Sequence, residues 1–554
     1  MKVIIIGGVA GGMSAAARLR RLDETAEINV YEMSDHVSYA NCGLPYFVSD
    51  VISKRDALLL QTPTALWNRF RIRAKVQSKV TAIDRANKTV TVQNLATGET
   101  YEDNYDKLVI STGARPRKLE IPGIERAMWL RNVTDADDVK AALTTLADSE
   151  VENKSVAILG AGFIGIELAE NIAHMGIPVT IIQRSNSILG QFDPEMVQPL
   201  HERLEKHGVR IELNSHTDHI TDTHVVLTDG RKIEAALVFT AAGVDPDNSL
   251  AREAGLKIGV TGGLWVDDQQ RTSDPDIFAA GDAVEKNGVL TGEQTLIPLA
   301  NLANRHGRLV ADVIAGRAVR VHAAVGTVIL GAFGFAVGIT GLSERAAVKA
   351  GIKHRVIHIH PNSHAGYYPG AQRVSMKVLF DPESGRILGA QANGEDGVDK
   401  RIDVIATAMH VNAQHGGLTI EDLMDLELAY APQFGSAKDA INIAGYVGNN
   451  VFNGTTPTLQ WHELETARAA GAQVIDVRSG GEHGNGHIPG TLNIPVEDLR
   501  DRLDEIDLEN VVVYCQVGQR GHIATQILKA NGAKVRNLDG GYVTWSAGES
   551  ALNR

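Results

Sequence analysis

Cysteine is nearly absent: 554 residues contain two, Cys42 and Cys515. They lie in segments that read as separate domains, which excludes a structural disulfide between them and makes a reducing, cytoplasmic compartment the expected one. Positive charge is also in deficit, with 54 Lys+Arg against 67 Asp+Glu and a formal net charge of -13, arguing against a nucleic-acid surface. The chain runs from Met1-Lys2-Val3 directly into a strand, so no signal peptide is expected. Residues 325–342 alone lack charge over a length that raises a membrane span. Gly326, Gly331, Gly334, Gly338 and Gly341, with Thr327 and Thr340, suit bent, buried strands better than a spanning helix. We therefore expect a core or subunit-interface sheet there, and no membrane association.

Glycine is abundant. The chain has 55, above the usual share of about 7%, and several sit where a backbone would approach a ligand. Residues 2–8 read as a buried parallel strand and residues 14–22 as the helix that follows. Between them, Gly7-Gly8-Val9-Ala10-Gly11-Gly12 is a loose dinucleotide fingerprint in which Val9 replaces the middle glycine. The second strand, residues 27–32, ends in Glu32, at the distance where an acid takes a ribose hydroxyl. A cleaner copy follows the strand at residues 155–159: Gly160-Ala161-Gly162-Phe163-Ile164-Gly165, then a helix carrying Glu167. Its next strand, residues 178–182, ends at Gln183-Arg184, where an acid would mark NADH. Gln183 removes the carboxylate that repels a 2′-phosphate and Arg184 could attract one, leaving NADH and NADPH both open. Two such units imply two nucleotides, each pyrophosphate resting on a helix N-terminus.

Further along, Thr272-Ser273-Asp274-Pro275-Asp276-Ile277-Phe278-Ala279-Ala280-Gly281-Asp282-Ala283 resembles the second flavin motif of the pyridine nucleotide–disulfide oxidoreductases. In that family the acid at the Asp282 position holds the ribityl chain of FAD. Ser111-Thr112-Gly113 and Ala241-Ala242-Gly243 resemble its short crossing motifs. The resemblance covers residues 1 to about 450. It implies an α/β chain with two Rossmann-like, glutathione reductase-like domains: FAD-binding over 1–148 and 271–320, and NAD(P)H-binding over 149–270. An α+β dimerisation domain follows over 321–450. FAD would be held by Gly7, Gly8, Ala10, Gly11, Gly12, Glu32, Thr112, Gly113, Gly281 and Asp282. The nicotinamide nucleotide would be held by Gly160, Gly162, Phe163, Ile164, Gly165, Glu167, Gln183, Arg184 and Gly243.

Cys42 lies in Asn41-Cys42-Gly43-Leu44-Pro45-Tyr46. Dithiol members of the family carry a Cys-x4-Cys pair, but the position five residues after Cys42 is Phe47, so this thiol must pair with something from outside or oxidise by itself. Single-cysteine NADH peroxidases and oxidases, which cycle a sulfenic acid, place a His in the first glycine loop, and this chain has Val9-Ala10. Gly7–Met13, Ser38-Tyr39-Ala40-Asn41-Cys42 and two tyrosine motifs resemble instead the coenzyme A-disulfide reductases. The resemblance implies that Arg18, Arg21, Ser38 and Asn41 line a coenzyme A site, with Arg71, Asn304 and Arg308 nearby; arginine suits multidentate phosphate recognition. Arg20, Arg73 and Lys75 are expected on a solvated face. His364-Ala365-Gly366-Tyr367-Tyr368-Pro369-Gly370 and Leu428-Ala429-Tyr430-Ala431-Pro432 match motifs that reach a partner's active site, implying a homodimer in which Tyr430 and one of Tyr367 or Tyr368 act at the reacting sulfur.

Residues 456–554 resemble a single α/β rhodanese domain through Ile475-Asp476-Val477-Arg478, Glu482-His483, Gly486-His487-Ile488-Pro489-Gly490 and the loop Cys515-Gln516-Val517-Gly518-Gln519-Arg520. The Cys-x4-Arg loop can turn its amides onto the sulfur, with Arg520 adding charge and a helix from Gly521 pointing its positive end there. One residue more would suit phosphate. His483 and His487 lack a matching Cys/His set, so no metal is expected. The combination implies an FAD-dependent NAD(P)H reductase of coenzyme A disulfide, persulfide or polysulfide, of the NADH-dependent persulfide reductase type, fed by sulfane sulfur from Cys515. The alternatives are an oxidase or peroxidase using a Cys42 sulfenic acid, and a rhodanese-based sulfur carrier or redox sensor.

Overall fold

A computed structural model of the chain describes residues 1–411 and 417–554. They divide into two units, Met1–Arg184 with Gly208–Ala324, and Ser185–His207 with Val325–Arg554.

In the first unit, uninterrupted aliphatic runs form strands covered on both faces, as parallel sheets require. Val3, Ile4 and Ile5 of the strand Lys2–Ile6 are wholly buried, each contributing about 1.5–3 kcal/mol of burial. That strand is central in a parallel sheet ordered Ile277–Ala279, Lys107–Ile110, Lys2–Ile6, Glu27–Tyr31, Ile72–Lys75. Its outermost strand, Ile277–Ala279, comes from sequence beyond a second parallel sheet, ordered Val209–Glu212, Val179–Ile182, Val156–Leu159, Leu237–Thr240, Ala127–Met128. Helices Ala10–Leu22 and Phe163–His174 follow the two central strands. Val244–Pro246 pairs antiparallel with Ala114–Pro116 and joins the two crossing segments.

The first helix begins at Ala10, earlier than expected, because Gly11 and Gly12 lie inside it. A Cβ on Gly12 would sit 1.9 Å from the Gly7 carbonyl oxygen, so glycine here permits close helix–strand approach. Arg20 is also not on a solvated face: it is 5% exposed. Its guanidinium donates to the carbonyls of Phe70, Asp23, Glu24, Ala26 and Arg71 at 2.7–3.2 Å, because a ring of unpaired loop carbonyls matches its five donors. Lys75 likewise lies over the Tyr31 and Tyr101 rings, at 5.2 and 5.0 Å. Arg73 is exposed and pairs with Glu27.

The second unit holds an antiparallel sheet ordered Val328–Ala332, Phe335–Gly341, Ile387–Gly394, Val374–Phe380, Arg355–Ile359. The uncharged stretch of residues 325–342 is thus a hairpin turned at Phe333-Gly334, both at positive φ. Among the described residues no helix is long and apolar enough to cross a membrane. The same unit contains a parallel sheet ordered Thr458–Leu459, Val535–Leu538, Val511–Tyr514, Gln473–Asp476, Leu492–Asn493. The helix Pro194–Lys206 belongs to this unit too.

Two candidate sulfur sites

Several helices close their N-termini with a side chain, as Asn132 does in the capping box of Val133–Asp148. Helices Ala10–Leu22 and Phe163–His174 have no side-chain cap, leaving first-turn amides available to an anion. In the first cradle Gly7 adopts φ 101°, and Glu32 accepts hydrogen bonds from the Gly8 amide at 2.7 Å and the Ser34 amide at 2.9 Å. Asp282 stands on the same unit with one buried carboxylate oxygen, Oδ1, lacking any partner, and burial pushes its carboxyl up. Such an atom fits a hydroxyl-rich ligand chain. Thr112 donates to the Asp247 carbonyl at 2.6 Å, while Gly113, Gly243 and Gly281 take positive φ. These residues fit FAD.

Cys42 lies in the short 3-10 turn Asn41–Gly43 and is exposed. Partial desolvation raises its thiol pKa, and the charges of Glu167 and Asp282 raise it further. The tertiary structure therefore brings together Cys42, the flavin-motif acid and the helix acid of the second cradle. Burial lifts Glu167 to about 7 despite a hydrogen bond from the Tyr46 hydroxyl. Tyr46 is itself raised to about 12 by burial and then by Glu167. Sequence reasoning missed Tyr46, although it stands four residues after the thiol. It also missed Lys286, which donates to the Gly281 and Val284 carbonyls at 2.9 and 2.8 Å and is lowered to about 8 by burial.

In the second cradle the three glycines divide their work. Gly160 turns at φ 114° against the Ala241 carbonyl, and Gly165 packs against the Gly160 carbonyl, where a Cβ would approach to 2.1 Å. A Cβ on Gly162 would meet nothing within 4 Å, which leaves room for a pyrophosphate. Phe163 and Ile164 open the helix beside it, Ile164 being exposed. Gln183 accepts from the Ala161 amide at 3.2 Å, the counterpart of Glu32 on Gly8, and Arg184 is exposed. Gln183→Glu should raise the NADH/NADPH ratio of kcat/KM roughly tenfold, the factor that about 1.4 kcal/mol supplies; steady-state kinetics with both nucleotides checks it.

Of the expected coenzyme A residues, Arg18 and Arg21 lie on the helix Ala10–Leu22 and Asn304 and Arg308 on the helix Ala300–Ile314 packed against it, while Ser38, Asn41 and Arg71 lie off both. Arg18 is engaged by Asp312 at 2.7 Å, Ser14 donates to Asn304 at 2.7 Å, and Arg308 is exposed. Arg21 lies over Phe70 at 5.8 Å and Arg71 over Trp67 at 5.3 Å. Ser38 is held at φ 49° with its amide on the Gly8 carbonyl, and Asn41 is exposed. In the second unit the Tyr367 and Tyr430 hydroxyls meet at 3.1 Å, both exposed, while Tyr368 packs edge-on against His364.

Cys515 is 1% exposed, at the end of the buried strand Val511–Tyr514, yet its sulfur accepts the Gly518 amide at 3.1 Å. The helix after it starts at Gln519 rather than Gly521, with Gly518 at φ 97° and no side-chain cap, so Arg520 lies in its first turn. Arg520 grips Glu482 through two bonds, 2.7 and 2.6 Å, holding that carboxyl down to about 2. The fork geometry of guanidinium and carboxylate selects this pairing. Arg478, buried, bonds Asp476 at 2.7 Å and donates to Gln516 of the loop at 2.9 Å. His483 contacts Asp476 at 3.0 Å and stacks on His487.

Comparison with known proteins identifies the domains. The pyridine nucleotide-disulphide oxidoreductase pattern matches residues 1–307, its dimerisation domain residues 331–440, and a rhodanese-like domain residues 460–548. The chain belongs to the pyridine nucleotide-disulphide oxidoreductases and carries a fused rhodanese-like domain. It is 31% identical to coenzyme A disulfide reductase of Staphylococcus epidermidis over 80% of this chain and 99% of that one. Among solved structures it resembles reduced Bacillus anthracis CoADR-RHD, with a TM-score of 0.95 and 42% identity, covering 100% of this chain and 98% of the other. It also resembles an NAD-dependent persulfide reductase from A. fulgidus, with a TM-score of 0.90 and 34% identity, covering 98% and 100%.

Proposed function

We propose that the protein reduces coenzyme A disulfide and persulfide with NAD(P)H, releasing hydrosulfide from the persulfide, and that its rhodanese-like domain delivers the sulfane sulfur. The observation that carries this reading is a pair of unshared thiols, one exposed beside Glu167 and Asp282, the other under the Gly518 amide. Gly7, Gly12, Glu32, Thr112 and Asp282 would hold FAD, which would supply two-electron transfer between nicotinamide and sulfur. Gly162, Gln183 and Arg184 receive the nicotinamide nucleotide.

In the reductase half the Cys42 thiolate attacks the carbon-bearing sulfur of coenzyme A persulfide. The persulfide bond breaks, hydrosulfide leaves with the electron pair, and a Cys42–coenzyme A disulfide remains. Two electrons and a proton then return Cys42 as thiolate and free the coenzyme A thiol. Arg18, Arg21, Ser38 and Asn41 position the coenzyme, with Arg71, Asn304 and Arg308 beside them. The protein works as a homodimer, and Tyr367 and Tyr430, exposed as a pair, donate hydrogen bonds to the reacting sulfur of the other copy. At Cys515, attack on a sulfane donor such as thiosulfate expels sulfite and leaves a persulfide. The coenzyme A thiolate then takes its outer sulfur, regenerating Cys515. Intact mass before and after reductant tests the reading. A loss equal to coenzyme A, mapped to Cys42, is expected; a protein that never carries coenzyme A and turns over peroxide but not coenzyme A persulfide would overturn it.

A further inference from the structure

A second group of deeply buried charges lies away from Cys515, where the dimerisation sheet meets the rhodanese-like sheet. Lys377 is wholly buried, its ammonium donating to Glu195 at 2.5 Å and Glu344 at 2.6 Å, with Asp193 at 2.9 Å. His358, 2% exposed, stands beside it. One ring nitrogen faces Glu195 at 3.3 Å, and the other faces Asp539 of the rhodanese-like domain at 2.7 Å. Asp539 directly precedes Gly540-Gly541, both at positive φ. That turn lies flat on the Cys515 loop: the Tyr542 amide donates to the Cys515 carbonyl at 2.8 Å and the Val543 amide to the Gln516 carbonyl at 3.1 Å. A Cβ on Gly541 would come within 2.3 Å of the Cys515 carbonyl oxygen, and one on Gly540 within 2.7 Å of the His358 side chain. A continuous chain of contacts therefore runs from the dimerisation domain to the backbone of the sulfur-carrying residue.

We propose that His358 is a positioning residue for sulfur transfer: by gripping Asp539 it holds the Gly540-Gly541 turn against the Cys515 loop, so the sulfur site is set from the dimerisation domain. The proposal rests on the sulfur-transfer role of Cys515 given above. The groups facing His358 are Glu195 from the helix Pro194–Lys206, Lys377, and Asp539, with Asp193 and Glu344 beyond, on Lys377. Gln460 also donates to Asp539 at 3.3 Å. Just past its strand lies His360, lowered to about 3 by burial and by His358, and set between Ser375 and Thr544 at 2.8 Å each. His354, 3.7 Å from Glu344, completes the set. Burial disfavours the His358 charge, but the bonds to Asp539 and Glu195 outweigh it and raise the imidazole to about 9. The folded value lies above the unfolded one. The grip is thus complete below the unfolded pKa of about 6.5 and is lost as pH rises through about 9.

The test uses the full-length, FAD-loaded protein. Persulfide formation at Cys515 from thiosulfate is followed by intact mass in single turnover, with amide exchange of residues 511–543 measured in parallel. In the unaltered protein the rate should fall as pH rises through about 9. His358→Gln should be about tenfold slower at pH 7.5, lack that fall and exchange faster at residues 515–518 and 540–543, while reduction of its flavin by NADH stays unchanged. A folded His358→Gln with the unaltered rate, pH profile and exchange overturns the proposal. Should His358→Gln fail to fold, exchange in the unaltered protein decides. Protection of residues 515–518 and 540–543, corrected for intrinsic pH dependence, must drop through about pH 9 while that of Lys2–Ile6 holds, and a constant value overturns it. Absence of any persulfide at Cys515 in the unaltered protein would instead remove the sulfur-transfer reading, and the exchange result would still judge the His358 contact.

Discussion

Cys42→Ser should lower hydrosulfide release from coenzyme A persulfide by about a thousandfold or more, the scale of losing a catalytic nucleophile. Reduction of the flavin by NAD(P)H should persist, because the nucleotide cradles lie on other elements of the unit and the exchange of sulfur for oxygen leaves a small, exposed turn. Stopped-flow flavin reduction beside sulfide release separates the two halves; a variant that still reduces persulfide at the normal rate removes Cys42 from the mechanism. The pH dependence carries a sign of its own. Burial, then Glu167, then Asp282 raise the Cys42 pKa, so attack by the thiolate should quicken as pH rises through that raised value. Glu167 titrates near 7 and is charged above it. Glu167→Gln therefore removes part of the opposition and should move the rising limb to lower pH.

Cys515→Ser should abolish sulfur transfer from thiosulfate, again by about a thousandfold or more, and leave reduction of coenzyme A disulfide at its unaltered rate. The distinction follows from the lone thiol in each half: no other cysteine can take over. The loop itself should survive, since its shape is held by Arg478 on Gln516, by Asn537 on the Gly518 carbonyl at 3.1 Å and by the Gly541 turn, none of which uses the sulfur. Thiosulfate-dependent persulfide formation, read by intact mass, and disulfide reduction, read by nucleotide oxidation, give the two rates. Equal loss of both would show that Cys515 serves the reductase directly.

Much of this was legible in residue order. A Gly-x-Gly-x-x-Gly turn between an aliphatic run and a helix admits few structures, and both nucleotide folds followed the motif order. Bent strands in residues 325–342 were legible because five glycines and two threonines interrupt an uncharged run that would otherwise suit a long helix; their pairing as a hairpin came from the fold. Arg20 was misjudged because its partners are five main-chain carbonyls, and a carbonyl leaves no mark on residue type. Arg520 was assigned wholly to the sulfur because the bond to Glu482 joins residues 38 positions apart. Tyr46 and Lys286 escaped notice since neither belongs to a charge pattern; burial, with Glu167 beside Tyr46, displaces their pKa values from the ordinary range.

The sequence by itself determined the domain types, the two nucleotide turns and the isolation of both thiols, since these depend on local backbone freedom and on counting. Only the tertiary structure decided what surrounds each sulfur: Glu167 and Asp282 at Cys42, and the Gly518 amide and the Gly541 turn at Cys515. It also decided the burial of Lys377 and His358 among carboxylates drawn from three distant segments. Electrostatic environment depends on distance and exclusion of water, and both arise only when segments remote in the chain are packed together.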